Sequence, residues 1–381
     1  MFDLSKHPYF ERWADPKSGV ISYILKERVA PLQQAFYFTN SSVSADERWL
    51  WFYASFPPNR HPTLGCVCLD PATPMIRHFP QAGFLPTSPL VAPEGDAAYF
   101  CMANSVYKVS WDGTVKVVCT LPREYVRYRH LGRLATHLSL SADGKYFLLD
   151  GELGNFWWVG LGDVQTGSVK VLREFSVHHD HAQFSPTDPK LFLIPRDHWN
   201  DKVSGQRFYL DHRLWLMDID QTRYEPVRPK DWYDHNSNAT HEWWSKDGLV
   251  CWVDYKKGTY ECDPYSLETK HVWKRGICHA HCSSDRQYWC ADENPYKWST
   301  QPVEILFYDR RKGTERAIVS AMPPPPVSQE LYRLEPPYCP RDLYHLDPHP
   351  HFSPKDSWVV YTTMVRGQVD VALAPVEGIK P

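Results

Sequence analysis

The sequence predicts an all-β protein, a seven-bladed β-propeller closed by an N-terminal strand in its last blade. Three observations point there. Aromatic residues make up 14% of the 381 residues, while Pro 33 and Gly 19 supply frequent breakers, a composition that suits many short strands. No segment keeps a 3.6-residue apolar period over three turns, which removes long helices. A turn of the type Ser-x-Asp or Ser-x-Glu, followed by an aromatic or aliphatic run, recurs along the whole chain.

The copies begin at Ser44, Ala92, Ser141, Ser185, Ser245, Ser283 and Ser353. By subtraction their spacings are 48, 49, 44, 60, 38 and 70, around the roughly 40–50 residues of a four-stranded blade. The two long intervals hold insertions. Alternating residues before each turn and a β-rich run after it place the turn between the innermost strand and the second strand of a blade. Seven turns therefore mean seven blades. After Ser353 the chain supplies only the runs WVVYTTMV and QVDVALAPV, so the last blade lacks an outer strand, which Val20–Leu25 is expected to provide. Residues 1–381 then form a single propeller domain, with the Pro-rich Met322–Pro340 as a loop within it.

Charge and hydropathy narrow the partners. Lys plus Arg is 42 and Asp plus Glu is 45, so 42 − 45 = −3, and no basic run of five or more is present to track a phosphate backbone. Nucleic acid is not expected. No stretch reaches the roughly 20 apolar residues of a membrane helix, and Met1–Asp15 is too polar for a signal peptide, so no membrane partner and a cytoplasmic location are expected. The 10 cysteines sit in a chain large enough not to need disulfide staples and are expected to be reduced and mostly buried. The sequence leaves the oligomeric state open, a homo-oligomer included.

Four residues before each turn stand Asn40, Ser88, His137, His181, His241, His279 and His349. Five of these seven are histidine, whereas 18 His in 381 residues predict 7 × 18/381, about 0.3. Equivalent residues of innermost strands face the central channel at one height, so five imidazoles are expected to converge on one polar cavity suited to metal binding or acid–base work. Strand alternation places His281 beside His279, His179 beside His181 and His351 beside His349, and turns Glu242 away. It also sets Cys278 and Cys282 on the face opposite His279, which argues against a structural zinc site in Cys278-His-Ala-His-Cys282.

With these residues in view, the chain resembles the oligogalacturonate lyase family, seven-bladed propeller lyases that act on pectin-derived oligouronides. The likeness runs from Asp15-Pro-Lys-Ser-Gly to the C-terminal blade. It is carried by Phe36-Tyr-Phe-Thr-Asn40, His181-Ala-Gln-Phe-Ser-Pro-Thr-Asp-Pro189, Arg213-Leu-Trp-Leu-Met-Asp218, Thr240-His-Glu-Trp-Trp244 and His349-Pro-His-Phe-Ser-Pro354.

The resemblance implies His241 as base, Arg213 as its partner, and a divalent metal, typically manganese, held by His279 and by the segment that leads into the last inner strand. There the family's Gln-x-x-His-x-His falls on Tyr344, Asp347 and His349. Asp347 could then replace a histidine and His345 the glutamine, or the His-Pro-His could shift onto His349 and His351. A second departure is Pro195-Arg-Asp-His-Trp199, where the family carries Cys-His-Glu-Gly near the substrate; His198 is the substrate-contact candidate there. His137 and His181 read as substrate contacts, and Tyr37 and Gln34, near the first inner strand, as groups for sugar hydroxyls.

β-Elimination at a uronide needs its carboxylate neutralised, a base for the C5 proton, and departure of the C4 oxygen. A divalent cation serves the first need and a neutral histidine the second, while arginine can hold substrate and stabilise developing charge. Imidazole and carboxylate ligands suit Mn and also Zn or Fe, and Ca remains open. The expected function is a metal-dependent oligouronide lyase giving a 4,5-unsaturated uronide. The alternatives are a lyase or glycoside hydrolase for another uronate linkage, such as one to rhamnose, or a non-catalytic binding propeller.

Overall fold

The seven turns lie where the chain count puts them, each between an inner strand and the second strand of its own sheet. In the computed structural model, which describes residues 1–57, 59, 61–84, 87–209, 212–227, 239–293, 295–298, 301–325 and 346–380, every turn is closed by a backbone bond from its first residue. Examples are Ser44 to Trp49 at 2.9 Å, Ser141 to Tyr146 at 2.9 Å and Ser353 to Trp358 at 2.9 Å. The serine hydroxyl adds a bond to the acid two places on, as from Ser141 to Asp143 and from Ser283 to Asp285, both 2.7 Å. The fourth turn residue is left-handed in six of the seven copies: Glu47, Gly95, Gly144, Gly248, Arg286 and Asp356. Glycine adopts that region without strain.

Among the described residues seven antiparallel sheets of four or five strands result, besides one separate two-stranded hairpin. The first comprises Leu32–Gln34, Trp49–Ser55, Thr63–Cys68 and Ile76–Phe79, and the pattern repeats around a central channel. The last sheet closes the ring, since Ile21–Leu25 pairs antiparallel with Asp370–Pro375 through Tyr23 to Leu373 and Ile24 to Ala372. The sequence did not anticipate that Phe10–Ala14 adds a fifth strand outside it. Of the Pro-rich stretch, only 322–325 lie among the described residues.

The core is distributed. Seven apolar clusters form, one at each contact between neighbouring blades. In the first-to-second contact Phe36, Trp51, Phe79, Phe100 and Val109 pack together, and Trp51 donates its indole N–H to the Gly95 carbonyl of the next blade at 2.9 Å. Burial in each contact favours association by about 25 cal/mol per Å² of apolar surface. Nine cysteines among the described residues are free and buried. Among those residues no helix is long and apolar enough to cross a membrane.

Candidate active site

The inner strands are irregular where the ring histidines sit. Ser139–Leu140, Gln183–Phe184, Ala280–Cys282 and His351–Phe352 begin just after His137, His181, His279 and His349. In the fifth blade Ala239–Trp244 runs through His241, but its register slips between Thr240 and Trp243. His181, His241 and His349 are left-handed, with φ of 51, 48 and 46°, a conformation that histidine tolerates at some cost. Period-2 alternation therefore fails at this level. Glu242 does not turn away from the ring; its buried carboxylate reaches Arg213.

The five histidines surround two aromatic side chains from the first blade. Tyr37 stacks on His137 at 4.5 Å, lies parallel to His181 at 6.3 Å, and meets His279 and His349 edge-on at 5.9 and 4.8 Å. Phe38 lies 6.1, 5.4 and 6.5 Å from His241, His279 and His349. This arises because Tyr37–Asn40 forms a turn inside the channel, closed by an Asn40 N–H to Tyr37 carbonyl bond of 2.8 Å. Asn40, the first-blade member of the column, instead donates to the Pro89 and Leu138 carbonyls at 2.7 and 2.9 Å. It lines a cavity of about 670 Å³ at the opposite, turn-bearing end, together with His281 and His351. Phe38 lines that cavity and also meets the ring, so it separates the two.

On one side of the ring lie His241 and Arg213. His241 Nδ1 is 2.8 Å from the Cys278 carbonyl; a carbonyl only accepts, so Nδ1 carries the proton and Nε2 the lone pair. That Nε2 lies 3.4 Å from the Tyr255 hydroxyl. Burial, reinforced by neighbouring His279, holds the His241 pKa well below its ordinary value. Its ring is neutral and competent to accept a proton. Arg213 donates to Glu242 at 2.9 and 3.2 Å, pairs with Asp197 at 2.9 Å and lies 2.7 Å from His181 Nδ1. It stays charged although burial opposes this, because Glu242, Asp197 and Asp180 surround it. His181 Nδ1 also lies 3.3 Å from Asp180. Arginine offers only donors, so the 2.7 Å contact assigns the Nδ1 lone pair to Arg213, and protonation would redirect the ring to Asp180.

On the other side, ligand atoms of His279, Asp347 and His349, all buried, lie within 4.8 Å of one another. Two imidazoles and a carboxylate at that separation fit one divalent ion with positions left for other ligands. Asp292 fixes His279 from behind, accepting from its main-chain N–H at 2.7 Å and contacting Nδ1 at 2.9 Å, which turns Nε2 into the ring. Such a carboxylate–histidine pair sets tautomer and orientation at metal sites. Asp292 also accepts from the His349 N–H at 3.3 Å. His351 does not join them: its Nε2 accepts from the Ser42 N–H at 3.2 Å and its Nδ1 contacts the His349 carbonyl at 2.9 Å, so both nitrogens are engaged by backbone. His345 lies outside the described residues.

The remaining candidates divide. His137 stacks on both Tyr37 and His181, at 4.5 and 4.9 Å. Gln34 is buried in the first inner strand opposite Tyr53. His198 is exposed, 5.2 Å from Tyr209. Strand alternation assigned Glu242 the wrong face, and sequence reasoning left Asp292 unremarked. For Asp292 a signal existed: aspartate stands nine residues after the turn at Asp150, Asp254 and Asp292, each fully buried. Asp150 bonds the Thr136 N–H at 2.6 Å, one residue before His137, as Asp292 bonds that of His279.

No family model matches the chain. A solved oligogalacturonate lyase in complex with manganese superposes with a TM-score of 0.75 at 17% identity, covering 96% of each chain. Another oligogalacturonate lyase structure, from Vibrio parahaemolyticus, gives 0.76 at 18% identity over 97% of this chain and 98% of its own. The fold is that of the oligogalacturonate lyases. In sequence the chain resembles the oligogalacturonide lyase of Pectobacterium atrosepticum, 24% identical over 231 residues, 56% of this chain and 54% of that protein. The aligned region thus spans about half the length of this curated relative.

Proposed function

We propose that this protein is a metal-assisted lyase that cleaves pectin-derived oligouronides by β-elimination. One observation carries the reading: a neutral histidine with its lone pair in the ring, His241, shares that ring with a charged arginine and with a buried cluster of two histidines and an aspartate. The likeness to oligogalacturonate lyases, one of them solved with manganese, supports the substrate class and the ion.

His279, Asp347 and His349 would hold the metal, which when bound supplies a Lewis acid at the substrate carboxylate. His241 Nε2 takes the C5 proton, its ring held by the Cys278 carbonyl. Arg213, fixed by Glu242 and Asp197, binds the uronide and steadies the charge that develops. Hydrolysis is less well served, because it needs two carboxyl groups free to face the sugar, whereas Glu242 is bonded to Arg213 and Asp292 to His279.

The test is the ultraviolet absorbance of a conjugated unsaturated uronide after incubation with oligogalacturonides and Mn. His241→Ala should lower turnover by roughly 10²–10⁴ with metal content unchanged. Near-normal turnover in that variant would move the base to another member of the ring.

A further inference from the structure

The long interval after Ser185 holds a hairpin that the reaction as described does not use. Trp199–Asn200 pairs with Arg207–Phe208, between the second and third strands of the fourth blade. Its root is continuous with the ring, because Asp197 pairs with Arg213 at 2.9 Å and Trp199 follows two residues later, about 7 Å of extended chain. The hairpin is fixed to the neighbouring blade. Trp199 meets Trp157 at 5.0 Å, Asp201 accepts from Asn155 at 2.8 Å, and Lys202 pairs with Glu152.

This fixed element presents aromatic surface outward. Phe208 stacks on Trp199 at 4.5 Å and is 37% exposed, and Tyr209 is 73% exposed. The Arg207 guanidinium lies 5.4 Å from the Tyr209 ring, and exposed His198 lies 5.2 Å from it on another side. Aromatic planes beside a cation match an acidic sugar: the apolar C–H face of a pyranose covers a ring while its carboxylate meets the guanidinium. Rigid attachment lowers the ordering cost of binding.

We propose that Trp199, Arg207, Phe208 and Tyr209 form a secondary sugar site for uronide units beyond the scissile bond. The proposal rests on the reading of the ring as an oligouronide lyase site. It makes the protein sensitive to the length of its substrate.

Di- and hexagalacturonate are compared as substrates for the parent and for Phe208→Ala/Tyr209→Ala, with hexagalacturonate binding measured by calorimetry in the same proteins. Far-ultraviolet circular dichroism and thermal denaturation check that the variant keeps its fold, and Phe208→Tyr/Tyr209→Phe restores stacking as a control. The variant should lose about tenfold in kcat/KM on the hexamer, the worth of two stacked rings, and keep the parent value on the dimer. The control should recover the hexamer value. Equal loss on both lengths, or no loss on either, overturns the secondary site. If the parent cleaves neither sugar, the lyase reading fails, and calorimetry alone decides the secondary site: equal hexamer affinity in parent and variant overturns it.

Discussion

His179 sits two residues before His181 on a different errand. Its ring stacks on Phe175 at 3.8 Å, its Nδ1 contacts the Val177 carbonyl at 2.8 Å, and its Nε2 contacts the Tyr224 hydroxyl at 3.0 Å. Burial lowers its pKa to about 3 from an ordinary 6.5. As pH falls below 6.5 the unfolded chain takes up a proton that the folded ring refuses, so stability drops by about 1.4 kcal/mol per pH unit until about pH 3. Urea unfolding between pH 6 and pH 4 should show a slope shallower by about that amount in His179→Gln; an unchanged slope would mean that the native ring is protonated. At this scale the sequence was legible wherever distance along the chain is conserved. Five histidines at one offset from a turn converge because the offset is covalent. The direction of Glu242 was not legible, since the slip between Thr240 and Trp243 reverses the face and leaves no mark in composition.

Among the elements, the seven turns also act as links between blades. Where glycine is absent from the left-handed fourth position, the side chain reaches a neighbouring turn. Glu47 accepts from the Ser353 hydroxyl at 2.5 Å and the Lys355 N–H at 3.0 Å, Asp356 accepts from the Ser284 N–H at 2.9 Å, and Arg286 bonds Asp247 at 3.0 and 3.1 Å. Backbone strain is thus offset by bonds across the blade contacts. At two of the glycine turns space forbids more, since a Cβ on Gly248 would lie 2.4 Å from the Thr187 hydroxyl oxygen and one on Gly95 2.9 Å from the Ser44 Cβ, whereas at Gly144 nothing lies within 4 Å. Glu47→Ala keeps the strained backbone and loses both bonds, and thermal or urea denaturation should record a loss of roughly 1–3 kcal/mol. A change below 0.5 kcal/mol would show that the seventh-to-first link contributes nothing. The turns and the closing strand were readable because their signals are local. Phe10–Ala14 and the Trp199–Phe208 hairpin were not: the first is short, with the adjacent charges Glu11 and Arg12 interrupting any alternation, and each strand of the second is only two residues long.

For the molecule as a whole, one apolar cluster per blade contact means that each blade is held mainly by its two neighbours, and six of those seven contacts join sheets adjacent in the chain. The seventh, between the last sheet and the first, joins the two ends of the chain, and the last sheet is itself completed across those ends. Tyr23 pairs with Leu373, a separation of 373 − 23 = 350 residues, and this is the slowest kind of contact to find. During synthesis Ile21–Leu25, paired on one edge with Phe10–Ala14, must wait for its second partner until the last strand has been made, and refolding from denaturant meets the same delay. A permutant that starts at Pro31 and carries residues 1–30 after residue 381 through a short linker shortens that separation to about 40. By loop-closure entropy this removes about 2 kcal/mol from the cost of closing the ring. Stopped-flow tryptophan fluorescence should then show refolding about tenfold faster with the native spectrum retained, whereas an unchanged rate would place the slow step inside the blades. The pairing that leaves the finished ring without a seam is thus also what keeps the growing chain open for longest, with the edge of Asp370–Pro375 and the apolar side of Ile21–Leu25 exposed to other chains until they meet.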